Sequence, residues 1–254
     1  MKTTSWRRFS AVACGVLCIA TIATLGFAQS DTLRIGAFSA LKSAAALPEG
    51  WKPLGVSNST PRTRYTLVDD GGVTVVKAEA NASASGISRD VKVNLAEFPT
   101  LKWRWKIAGL LKASDIHTKA GDDYPARVYV MFDYPLEKLS FADRTKLRLA
   151  RTLYDPNLPA ATLCYVWDGK APAGTSVPSS YTNLMRMIVV ESGSAHVNQW
   201  REVERDVAAD FKAAFGHDAP PVLAVAIATD TDNTGESAVA WYGDISFNKQ
   251  KLSK

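Results

Sequence analysis

The chain has 254 residues, and its 30 Lys and Arg exceed its 25 Asp and Glu to give a formal charge of +5. Three of the cations, Lys2, Arg7 and Arg8, precede an apolar run over 11–25 and the small-residue ending Gly26-Phe27-Ala28. This is the pattern of a secretory signal peptide over 1–28, with cleavage expected after Ala28; removing it leaves a charge near +2, which withdraws the compositional case for a nucleic-acid partner.

No later segment offers the roughly 18 uninterrupted apolar residues of a membrane span, so no stable span is expected after signal removal, and the address is periplasmic or secreted. Cys14 and Cys18 leave with the leader. Cys164 then has no intramolecular partner and reads as a small buried hydrophobe on a strand. The remaining 29–254 are long enough to bury a full core as one β-sandwich domain.

Residues 29–61 are weakly patterned, broken by Pro48, Gly50, Pro53 and Gly55, and are expected to wrap the domain edge. Strands are predicted over 65–68 and 73–80, joined by the turn Asp69-Asp70-Gly71-Gly72, whose glycines supply positive φ. Further strands fall over 87–95, 101–107 and 127–133. A helix follows over 140–154, with Ser140 as N-cap and Leu147, Leu149, Ala150 and Leu153 apolar. After a strand over 162–167, the Gly-, Pro- and Ser-rich stretch 168–181 reads as a mobile connection. Beyond the strand over 185–191, a second helix over 206–215 carries Val207, Phe211 and Ala214 on one face and ends at Gly216. Strands over 222–229 and 238–247 complete the pattern. Many strands, few helices and no βαβ alternation imply an all-β fold, an antiparallel two-sheet jelly-roll sandwich with one or two short helical insertions.

Strict alternation in Leu101-Lys102-Trp103-Arg104-Trp105-Lys106-Ile107 places the tryptophans on one face and the cations on the other. The flanking Leu101 and Ile107 favour burial of the tryptophan face, which leaves Arg104 as the candidate for pairing with a ligand carboxylate or phosphate. Asp122-Asp123-Tyr124-Pro125-Ala126-Arg127 brings two acids within reach of an arginine at a strand mouth, an arrangement that either raises one carboxyl pKa or holds a structural ion pair. Asp230-Thr231-Asp232-Asn233-Thr234-Gly235 starts like a calcium loop, but its twelfth position is Trp241 where a bidentate Glu is needed. The expectation is therefore no metal and no cofactor, and Asp244 is expected to pair with an arginine across the sheet. His117, His196 and His217 are isolated and show no zinc spacing.

The strings Trp103-Arg104-Trp105-Lys106, Asp122 through Arg127, and Asp230 through Gly235 followed by Tyr242-Gly243-Asp244-Ile245 together resemble family 3047 of the domains of unknown function. The likeness runs over about 51–247. It implies exported bacterial proteins with a galactose-binding-like sandwich and transfers no catalytic residue.

The leading expectation is a periplasmic protein that binds a polar small molecule or glycan in a surface cleft. Arg104 and Arg127 would be donors, Asp122, Asp123, Asp230, Asp232 and Asn233 would orient hydroxyls, and Trp167, Tyr181 or Trp241 would offer a stacking surface. The alternatives are a glycoside hydrolase or lyase using Asp123 with Asp230 or Asp232, and a structural or assembly protein in which the Asp-Arg strings form internal ion pairs.

Overall fold

Alternating apolar residues along the chain build two sheets in the computed structural model, which describes residues 30–43, 47–55, 60–153 and 158–249. The leader over 1–28, the Ala44-Ala45-Ala46 patch and the expected end of the first helix at Tyr154 lie outside the described residues. The strands in chain order are β1 Thr32–Gly36, β2 Trp51–Gly55, β3 Arg64–Asp69, β4 Thr74–Asn81, β5 Ala84–Val93, β6 Thr100–Ile107 and β7 Arg127–Phe132. After helix α1 (Phe141–Leu153) come β8 Thr162–Asp168, β9 Ser176–Pro178, β10 Met185–Ser192 and β11 Arg201–Asp206; helix α2 (Val207–Phe215), β12 Val222–Asp230 and β13 Ser237–Asn248 follow.

One sheet runs β11-β6-β13-β4-β3, and the other β2-β5-β12-β7-β8-β10-β9. The twelve-residue β13 pairs with β4 through its first half and with β1 through its second, so β1 extends the first sheet to six strands. Trp103 and Trp105 enter the core from the first sheet and meet Tyr165 and Trp167 of the second, with ring centroids 5.2 and 6.1 Å apart. The fold is thus the expected β-sandwich, and the tryptophan face of β6 is core.

One pairing departs from the antiparallel expectation: β8 and β10 run parallel. Parallel neighbours need a long crossover. Residues 169–184 supply it, placing β9 antiparallel to β10 at the sheet edge, so the stretch expected to be a mobile connection holds a short strand.

Every residue of β8 is buried. Leu163, Tyr165 and Trp167 face the main core, while Cys164 and Val166 join Met187, Val189, Ile116 and Tyr124 in a second cluster on the opposite face. That second cluster exists because the β6–β7 connection folds over the outer face of the second sheet, bringing Ile116 and Tyr124 onto it. Cys164 is accordingly a buried free thiol, whose burial raises its pKa and keeps it protonated.

Both helices form where expected. Ser140 Oγ accepts from the Asp143 N–H at 3.0 Å at the start of α1, and Asp206 accepts from the Ala209 N–H at 2.9 Å at the start of α2. In α1 Leu147 is buried, but Leu149 turns to solvent. Among the described residues no helix is long and apolar enough to cross a membrane.

Candidate functional site

Strands β7 and β12 are antiparallel neighbours with Arg127 opposite Ala228, so the start of one and the end of the other meet at the same end of the sheet. Arg127 begins β7 and Asp230 ends β12. Alternation sends Val128, Val130 and Ile227 into the core and therefore Arg127 and Asp230 to the outer face, where the β6–β7 connection delivers Asp122 and Asp123.

Arg127 is only 3% exposed. Its Nε donates to Asp230 Oδ1 at 2.9 Å and its Nη2 reaches Asp230 Oδ2 at 2.5 Å, a bidentate pair. Nη2 also donates to the Asp122 carbonyl, while Nη1 donates to Tyr129 Oη at 3.3 Å and lies 3.5 Å from Asp122 Oδ1. The guanidinium stands 4.4 Å from the Tyr124 ring centroid. All of its nitrogens are thus engaged within the protein, and the expectation that Arg127 donates to a ligand is corrected: it organises the site from beneath.

Asp123 is fully buried and binds the loop that follows β12, accepting from the Asn233 N–H at 3.4 Å and the Thr234 N–H at 2.7 Å. Asp230 in turn accepts from the Tyr124 N–H at 3.2 Å. The two acidic strings seen in the sequence are therefore one interlocked unit. Glu236 ties a third segment to it through the N–H groups of Lys112 and Ala113, at 3.1 and 2.8 Å.

The exposed side of this unit is a rim. Asn233 Nδ2 donates to the Lys119 carbonyl and to Tyr181 Oη, the latter at 2.9 Å. Tyr181 is 56% exposed, and the Lys119 ammonium lies 5.2 Å from its ring centroid. Asp232 is exposed beside them, and carboxylate oxygens of Asp123, Asp230 and Asp232 fall within 4.8 Å of one another. A cation could be accommodated at such a spacing, yet Asp123 and Asp230 already accept N–H donors and Asp230 carries the Arg127 charge, so the grouping is not assigned as a metal centre.

The six residues Asp122, Asp123, Arg127, Asp230, Asp232 and Asn233 are thus brought together, and Arg104 is not. Arg104 lies on the outer face of the other sheet, where it packs on Trp200. Of the proposed stacking residues, Trp167 is fully buried and unusable, and Trp241 lies in the first sheet under the Lys106 ammonium at 4.6 Å. Tyr181 alone of the three borders the acidic unit. Among the described residues Asp244 pairs with no arginine; it accepts from the Ser39 N–H and hydroxyl instead, at 2.8 and 2.5 Å. Sequence reasoning missed Tyr129, although it stands two residues beyond Arg127 and so on the same strand face. Lys119 and Tyr124 had no local signal beyond their nearness to the acidic string.

Burial pushes the Asp230 carboxyl up to about 7, with Asp123 and Asp122 adding to the rise and Arg127 opposing it. Burial likewise raises Asp122, where Arg127 again opposes and Asp123 reinforces. Groups raised in the folded state hold protons that the unfolded chain has already released, so their contribution to stability is complete below the ordinary carboxylate range and is lost as pH climbs through about 7. The protein should therefore melt at a higher temperature at pH 5 than at pH 8, and this slope should flatten in Asp230→Asn, as thermal unfolding at the two pH values will show.

A β-sandwich with an arginine-centred acidic unit at one end of a sheet, rimmed by a fixed exposed tyrosine, is the class of protein that these residues define. Residues 49–246 match the family model described as protein of unknown function (DUF3047), and the chain belongs to that family. A search of curated proteins found no match. Among solved structures, similarity extends to a family 12 xyloglucanase from Bacillus licheniformis in complex with ligand, at 7% identity and TM-score 0.45, covering 86% of this chain and 99% of that one. A meso-active, thermostable cellulase derived from that of Rhodothermus marinus follows at 12% identity and TM-score 0.43, with coverages of 86% and 100%. Endoglucanase 3 from Trichoderma harzianum, of family GH12, stands at 11% identity and TM-score 0.42, with coverages of 88% and 100%. At these values the likenesses say nothing of this chain's chemistry.

Proposed function

We propose that this protein is an exported, periplasmic binding protein that holds a carbohydrate or another polar cell-envelope ligand at the rim formed by Lys119, Tyr181, Asp232 and Asn233. The observation that carries the reading is Tyr181, an aromatic ring more than half exposed yet fixed by the Asn233 amide at 2.9 Å. A sugar ring stacks on such a surface while adjacent acceptors take its hydroxyls, and Asp232 is the acceptor at hand. Because the ring is oriented before binding, little ordering cost remains to be met when the ligand arrives. The export half of the proposal rests on the leader over 1–28.

The hydrolase or lyase reading has its carboxylates close enough, but their chemistry is engaged: Asp123 accepts two backbone N–H groups and Asp230 holds a bidentate guanidinium. Each would have to act while keeping these partners, so the geometry favours binding over hydrolysis. A thermal-shift panel of neutral and charged cell-envelope saccharides tests the binding reading. At least one saccharide should raise the melting temperature of the wild type, and Tyr181→Ala should lose that response with its own stability intact. A panel without any response would count against it.

A further inference from the structure

The outer face of the first sheet holds a second arrangement that the rim does not explain. Arg104 lays its guanidinium over Trp200, with Cζ 4.5 Å from the ring centroid. On its other side β13 is irregular: Tyr242 pairs with Trp105 and Ile245 with Trp103, so Gly243 and Asp244 together stand opposite the single residue Arg104. A bulge of this kind re-aims side chains. Gly243 leaves the space that Arg104 occupies: a Cβ would come 2.4 Å from Arg104 Nε and 2.5 Å from its Cγ, so the side chain would have to shift. The arginine thus sits between an indole and a bare stretch of backbone.

Among the described residues no carboxylate or carbonyl takes its N–H groups. Asp244 is occupied by Ser39, and Glu204 by Lys102 at 2.7 Å. Asp70 receives Lys106 Nζ and Trp200 Nε1, each at 2.8 Å. Glu202 is the cross-strand neighbour of Arg104 and forms no ion pair with it. A planar donor fork held in place beside a groove of about 380 Å³ matches a planar acceptor, and the groove is of the size that takes a small ligand.

We propose that this groove binds a carboxylate-bearing polyhydroxyl ligand of monosaccharide size, a hexuronate in chemical class, with Arg104 as the bidentate donor. The lining selects a carboxylate over a phosphate. Lys102 and Arg104 are set against Glu202, Glu204 and Asp244, so every anionic charge on a ligand is opposed and a dianion is opposed twice over, whereas the single planar charge of a carboxylate is offset by the one guanidinium fork and the ligand's hydroxyls find an acceptor in Glu202.

The test is calorimetric titration of the protein with D-galacturonate and with D-galactose. Galacturonate should bind at least ten-fold more tightly, and the preference should weaken with added salt. Arg104→Gln should abolish it, and Arg104→Lys should recover little, because an ammonium lacks the fork. Glu202→Gln, which keeps an acceptor oxygen for a ligand hydroxyl but removes an exposed like charge, should raise galacturonate affinity several-fold, and it decides the matter should the Arg104 variants fail to fold. Equal binding of the two sugars, a preference retained in Arg104→Gln, or weaker binding in Glu202→Gln would overturn the proposal. In the Tyr181→Ala background, which removes the rim's stacking surface, the preference for galacturonate over galactose should persist, which separates failure here from failure of the rim.

Discussion

Arg127→Ala is expected to cost the fold about 3–5 kcal/mol, the usual consequence of removing one partner from a buried ion pair. The loss comes less from the attraction forgone than from what remains: Asp230, Asp122 and Asp123 would stand close together with no cation among them. Asp230→Ala should cost about as much for the converse reason, since Arg127 would keep Tyr129, Asp122 and the Tyr124 ring but lose its bidentate acceptor. Replacing both members by apolar residues, as in Arg127→Met with Asp230→Leu, should recover a large part of the loss, because neither charge is then buried alone. Urea unfolding of the three variants measures all of this. A cost below about 1 kcal/mol for Arg127→Ala, the range of an exposed pair, would mean that the network is solvated.

Trp105→Ala should be of similar size, about 3–5 kcal/mol, which corresponds to a fall in melting temperature on the order of ten degrees for a chain of this length. Trp105 is fully buried, edge-on to Trp103 at 5.4 Å and against Trp167 across the sheets. Its indole N–H has no partner among the described residues, so Trp105→Phe forfeits volume but no hydrogen bond and should cost markedly less. Equal losses for the two variants in a thermal melt would contradict that account of the packing.

These two side chains also mark where the sequence was readable. Alternation in β6 revealed which of its residues share a face, and the flanking Leu101 and Ile107 revealed that the tryptophan face is core. What alternation cannot say is which sheet a strand joins. Arg104 and Arg127 looked like partners from the sequence, and the chain assigns them to outer faces of different sheets. The convergence of Asp122, Asp123 and Arg127 with Asp230, Asp232 and Asn233 was legible because each string sits at a strand end, where turn-forming residues and outward side chains coincide. That Arg127 faces inward upon this acidic unit, with all its donors taken, depended on how residues 108–126 fold over the second sheet, which no local pattern encodes.

The missed strands have physical reasons of the same kind. In β11 only Val203 is buried, and the remaining positions are charged, as suits the edge of a sheet that must not pair further. β9 has three residues and ends in proline. β1 and β2 are short and lie among breakers, so their strand character comes from pairing with β13 and β5 rather than from their own composition. The match with the family model extends over these edge elements only in part, beginning at residue 49.

The central claim is that a fixed tyrosine at the rim, and not the arginine beneath it, meets the ligand. Calorimetric titration of whichever saccharide most stabilises the protein, against the wild type and Tyr181→Ala, addresses it directly. The account predicts that Tyr181→Ala weakens binding at least ten-fold, in line with the roughly 1–3 kcal/mol that a buried aromatic surface contributes, while its unfolding temperature stays near that of the wild type. Binding of undiminished affinity in Tyr181→Ala would contradict it.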